Sequence, residues 1–256
     1  MRVALPFIIM KNKFKIKFLA SALLFVIAVS NVFSQTSKSD PNDSQGWFGS
    51  KLKVDLPKGW KIETDYQARF INDIRTYNAS YLTLGGSKKI YKNLDLLADY
   101  RAAFTQKGVY HRLSFGAEAS KNISKFDFGF RVLIQNQLQD FNDVTKEDRS
   151  NGYWRTRFEV GYKMYDFISI YGSTEPIMKL NGIRFVDNWR NTLGLKLNIA
   201  NRTKLNLFYI YRPDYAKATY DRLFQVVGVN LDYTLKLKKS NGHHLIKKQG
   251  IRKLKF

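Results

Sequence analysis

The sequence predicts an all-β protein, an antiparallel transmembrane β-barrel of about 10–12 strands, with twelve favoured. Three observations predict it. Segments of about ten residues alternate between apolar and polar side chains with a period of two. The chain is rich in Tyr and Phe, with 15% aromatic residues overall, which suits strands with one apolar face. Short turns alternate with longer links along the chain, the usual arrangement of periplasmic turns and outer loops.

The first element is an address. Lys11, Lys13, Lys15 and Lys17 precede the apolar run 18–29, FLASALLFVIAV, and Val32-Phe33-Ser34 ends the segment with small or aliphatic residues where a signal peptidase reads. Twelve apolar residues fall short of the roughly 20 that span a bilayer as a helix. Residues 1–34 are therefore expected to be a signal peptide cleaved near Ser34, and the mature protein is expected in the outer membrane. Residues 35–45, QTSKSDPNDSQ, are too polar to face lipid.

Residues 46–237 carry the alternation. In Trp60 to Phe70 the even positions read Trp, Ile, Thr, Tyr, Ala, Phe and the odd ones Lys, Glu, Asp, Gln, Arg. Segments 94–104, 126–134, 154–164 and 227–237 repeat the pattern. Eleven strands are expected, starting near Trp47, Trp60, Ala79, Leu94, Val109, Phe126, Tyr153, Phe167, Trp189, Lys204 and Val226. Short turns fall at 57–59, 91–93, 123–125, 165–166 and 200–202, and longer links near 72–78, 139–152, 174–184 and 213–224. An odd count conflicts with the even strand numbers of bacterial single-chain barrels. Either residues 35–45 rise through the lumen or they supply a twelfth strand, and the second is preferred. A water-soluble barrel or lipocalin-like carrier also alternates. However, its interior would have to be filled by the apolar face, and eleven long strands enclose more space than those side chains fill.

The formal charge of +22 suggests nucleic acid until it is located. Residues 1–34 hold +5, and the stretch from Lys236 to Phe256 holds +8 without an acid. In the middle, bases and acids alternate, unlike a concentrated basic face, so no nucleic-acid partner is expected. The basic tail 238–256 suits anionic lipid headgroups. The expected partners are outer-membrane lipid and the barrel-assembly machinery. Cys is absent, which excludes a disulfide scaffold, a thiolate metal site and a lipid-modified Cys.

Gly46-Trp47-Phe48-Gly49, Tyr110-His111-Arg112-Leu113, Trp154-Arg155-Thr156-Arg157 and the tandem hairpins together resemble an uncharacterised outer-membrane barrel family, domain of unknown function 2490. The resemblance covers roughly Gly46 to Leu237. It implies an outer-membrane barrel and supplies no activity, substrate or catalytic residue. The tail beyond Leu237 extends past the family's usual end on the last strand.

Parity sorts the candidate residues. Inward positions hold Lys61, Arg69, Arg101, Arg112, Arg131, Arg155, Arg157, Arg190, Lys196 and Arg212. The acids Glu63, Asp65, Asp95, Asp99, Glu118, Glu159 and Asp232 lie among them. The lipid-facing aromatics are Trp60, Tyr66, Phe70, Tyr100, Phe104, Phe126, Phe128, Trp154 and Tyr233. Arginine clusters along a lumen favour anions, as charged rings do in pores; the alternative is that they pair with the acids and fill it. His111 and Asn136 share the outward face, resembling the outer-membrane phospholipase, but the position two beyond the His is Leu113, and Ser114 points inward. Without a nucleophile on that face no triad forms, and no enzyme is expected. His243-His244 lacks the three or four ligands of a stable metal site, so neither metal nor cofactor is expected. The leading function is a passive pore for small anionic or polar solutes. A non-transporting scaffold or surface-binding barrel with a salt-bridged lumen is second, and an outer-membrane enzyme is third.

Overall fold

The computed structural model describes residues 42–106, 108–138, 151–180, 186–215 and 222–237. The expected signal peptide, most of the polar segment 35–45, the basic tail and the His243-His244 pair lie outside these residues. Eleven strands follow one another: β1 (Asp43–Asp55), β2 (Trp60–Ile71), β3 (Thr76–Tyr91), β4 (Leu94–Thr105), β5 (Gly108–Ile123) and β6 (Phe126–Leu138), then β7 (Asn151–Tyr165), β8 (Ile168–Lys179), β9 (Val186–Ala200), β10 (Thr203–Asp214) and β11 (Arg222–Lys236). Each pairs antiparallel with its successor, and β1 closes the ring on β11.

An odd number of up-and-down strands leaves the first and last running the same way, so the closing pair is parallel. Its register is unbroken from Asp43↔Phe224 to Asp55↔Lys236. Among the described residues the count is thus eleven, not the favoured twelve, and the barrel is antiparallel except at this seam. Of the polar segment, Asp43, Ser44 and Gln45 begin β1, and residues 35–41 lie outside the described residues.

Strands of 12 to 16 residues reach about 40–50 Å along their length, enough to cross a ~30 Å hydrocarbon core at the usual tilt. The turns at 56–59, 92–93, 124–125, 166–167 and 201–202 share one end of the barrel. The strand ends that flank the links at 72–75, 106–107, 139–150, 180–185 and 215–221 share the other. All four expected long links are shorter than read. The one after β2 is a tight turn in which Asn72, Asp73 and Ile74 all have positive φ. It is tied to the start of β1 by Ile74 N–H to Ser44 O (3.2 Å) and Asp73 N–H to Asp43 Oδ1 (3.2 Å). The expected link 174–184 is strand as far as Lys179. Pro176 is accommodated because the β7–β8 pairing lapses between Phe158↔Thr174 and Arg155↔Ile177, where no ladder N–H is needed.

The outer face is apolar. Phe115 is 60% exposed, Leu193 59% and Leu84 57%, all near mid-strand. Aromatic residues gather toward both rims, Trp60, Tyr165 and Tyr233 at the short-turn end and Tyr77, Trp154 and Trp189 at the other. No helix among the described residues is long and apolar enough to cross a membrane, which says nothing of crossing by strands.

Gly59 sits in the first turn at φ +77°, with Lys89 Cβ 3.1 Å from where its own Cβ would stand. A left-handed backbone costs an L-residue about 1–2 kcal/mol. Gly59→Ala should lower barrel stability by about that amount in a urea unfolding titration and leave the lumen's properties unchanged.

Candidate functional site

The inward faces of the strands place most of the charged residues in the lumen, in layers that follow from their depth. Near the short turns, acids and bases are closely matched. Lys61 pairs with Asp95 (2.9 Å) and Lys196 with Glu159 (2.7 Å). Lys51 lies 3.4 Å from Asp65 and 3.6 Å from Glu63, Lys53 3.8 Å from Glu63, and Arg157 3.9 Å from Glu159. Glu118 faces Arg131 across the β5–β6 ladder. Asp232 stands opposite Lys204 on β10.

The middle layer is different. Two lumen cavities, of ≈ 500 Å³ toward the short turns and ≈ 330 Å³ toward the opposite end, share the same five arginines in their walls: Arg69, Arg101, Arg112, Arg155 and Arg190. These side chains come from β2, β4, β5, β7 and β9, so they form a belt around the inside of the barrel. Two carboxylates serve it. Asp99 accepts from Arg112 (3.3 Å) and from Ser114 Oγ (3.1 Å). Glu175, only 6% exposed, accepts from Arg155 (2.8 Å) and from Arg131 (3.1 Å), and it faces Arg190 across the β8–β9 ladder. Arg155 also donates to Gln135 (3.1 Å).

The other half of the belt is held by rings. The Arg69 guanidinium lies 3.7 Å from the Trp47 ring centroid and 4.0 Å from that of Tyr81. Arg101 is 5.6 Å from Tyr81, and Arg190 is 5.8 Å from Trp47. Each such contact contributes about 0.5–1 kcal/mol when exposed and about 2 when desolvated. Trp47 is 4% exposed and packs with Ile210, Val226 and Phe208, which makes one wall of the lumen apolar. Arg212, beyond the belt, stacks on Phe224 at 4.3 Å.

The nine aromatics expected to face lipid all stand on the outer face. Trp60, Tyr66, Tyr100, Phe104, Phe126, Trp154 and Tyr233 are exposed, and Phe70 and Phe128 are partly covered. His111 contacts Tyr100 through Nδ1 and stacks on its ring, outside the barrel. Ser114 is fully buried on the inside, against Asp99. The two lie on opposite faces of β5 and cannot share a substrate.

Several lumen residues lie outside the set read from the sequence, among them Lys51, Lys53, Glu175, Trp47 and Tyr81. Glu175 falls in the expected link 174–184, next to Pro176. Trp47 reads from the sequence as a strand start and as part of the family motif, not as a lumen residue, although it shares parity with Lys51 and Lys53. Tyr81 sits in a β3 segment whose alternation is broken by Gly85 and Gly86.

The family described as "Protein of unknown function (DUF2490)" matches residues 44–223. Among solved structures the chain is similar to the NanC porin, at 14% identity and a TM-score of 0.46, covering 66% of this chain and 86% of that one. It is also similar to OccK8 (OprE) of Pseudomonas aeruginosa, at 11% identity and a TM-score of 0.34, covering 65% of this chain and 56% of the other. No curated protein matches the sequence.

Proposed function

This chain belongs to the DUF2490 family of proteins of unknown function, and from that premise we propose that it is an outer-membrane pore, passive and selective for small anions. The observation that carries the reading is the belt. Arg131 and the five shared arginines bring six guanidiniums to mid-lumen, where Asp99 and Glu175 are the carboxylates at ion-pair distance among the described residues. A surplus of fixed positive charge in a narrow passage draws anions and repels cations. The apolar outer face between two aromatic rims supports a bilayer setting. The first 34 residues support export as a precursor.

The test is a planar-bilayer recording under a potassium chloride gradient. The reversal potential should indicate preference for chloride, and the preference should fade as salt rises from 0.1 M to 1 M, because the Debye length shrinks from about 10 Å to about 3 Å. Cation preference would overturn the reading. One observation favours a filled, non-transporting barrel instead: Arg155 and Glu175 are both nearly inaccessible, at 7% and 6% exposure. An electrically silent, fully folded barrel would select that scaffold.

A further inference from the structure

In the half of the belt built on β1 to β4, each guanidinium is gripped in a way that leaves one edge unused. Arg69 donates Nε to Gln67 Oε1 at 2.8 Å and Arg101 donates Nε to Thr83 Oγ1 at 2.8 Å, both neutral acceptors. Trp47 and Tyr81 cover the flat faces. The Nη ends of Arg69 and Arg101 make no hydrogen bond and no ion pair among the described residues. Arg190 approaches the same Trp47 ring from β9, and its buried Nε has no partner. Three like charges are thus gathered on two rings, with their strongest donors unclaimed. Ring contacts occupy the face of a guanidinium and leave its in-plane N–H fork available, the geometry that matches two oxygens of one anion.

We propose that Arg69, Arg101 and Arg190, held on Trp47 and Tyr81, form a saturable binding site for a small oxyanion, a carboxylate or a phosphate, between the two lumen cavities. The inference deepens the pore reading and rests on it for the ligand's route of entry. Permeating oxyanions stop at this site, so their flux saturates, whereas chloride, which cannot engage the fork through two atoms, passes with weaker retention. The apolar wall of Trp47, Ile210 and Phe208 bounds the ≈ 500 Å³ cavity on the site's short-turn side. It leaves room there for the body of an organic anion.

The full barrel, folded in detergent, is titrated calorimetrically with inorganic phosphate and separately with acetate at constant ionic strength. One-to-one saturable binding is expected. The tighter of the two anions identifies the source of the oxyanion, and saturation by neither overturns the site. Arg101→Gln should weaken binding at least tenfold. The exposed Lys121→Gln, which removes the same charge from the outer surface, should change it less than twofold. Should Arg101→Gln fail to fold, Arg69→Lys serves, since it keeps the charge but loses the planar fork, and the same tenfold loss is expected. Unchanged binding in a folded variant overturns the site. The same anion added to chloride currents in bilayers should reduce them along the same saturation curve. Binding by a barrel that conducts nothing upholds the site and removes the pore. Conductance without saturable binding or block upholds the pore and removes the site.

Discussion

Glu175→Gln is expected to cost about 3–5 kcal/mol of barrel stability, the usual effect of removing one partner from a buried ion pair. Its carboxylate is the shared counter-charge of Arg155 at 2.8 Å and Arg131 at 3.1 Å, and it faces Arg190 in the ladder. The amide would leave these guanidiniums desolvated without compensation, tying β6, β7, β8 and β9 together less firmly. Urea unfolding followed by linear extrapolation measures the cost. Arg131→Gln should cost far less, because Glu175 keeps Arg155. A loss below about 1 kcal/mol in Glu175→Gln would show that water reaches the pair and solvates it as on a surface. Whatever fraction of Glu175→Gln folds should also show stronger anion preference, since the belt has lost a negative charge.

That residue also marks where sequence reading stops. The strands of residues 60–70 and 154–164 are legible because one face is nearly all polar and the other nearly all apolar, so a period of two is unmistakable. Ser173-Thr174-Glu175-Pro176 lacks that contrast, and a proline argues against a strand unless a neighbour's ladder lapses beside it. That lapse in the β7–β8 pairing belongs to the assembled sheet. Trp47 shows a second limit. It shares parity with Lys51 and Lys53, but a large ring is an unusual occupant of a charged lumen until Arg69 is seen stacked on it at 3.7 Å. The odd strand count was readable too. It signalled a parallel seam, which depends on where β1 meets β11, and not a missing strand.

Phe115→Arg should cost roughly 2–4 kcal/mol, the range for a basic residue facing lipid at the bilayer midplane. Phe115 is 60% exposed on the outer face, midway along β5, between Ala98 of β4 and Ile134 of β6. Depth decides the size of the effect. Phe128 shares the outer face but is only the third residue of β6 from its short turn, so arginine there reaches the interface and should cost about 0–1 kcal/mol. Gly129→Arg is the matched lumen variant. A Cβ at Gly129 would meet Glu159 Cβ at 3.7 Å, ordinary contact distance, and the new guanidinium would extend beside an acid. It should therefore fold at near wild-type stability. Assembly into vesicles, scored by the heat-modifiable folded band and by urea unfolding, ranks the three as Phe115→Arg far worst, then Phe128→Arg and Gly129→Arg. If Gly129→Arg proved worst and Phe115→Arg harmless, the apolar face would not meet lipid, and a water-soluble barrel would replace the membrane pore.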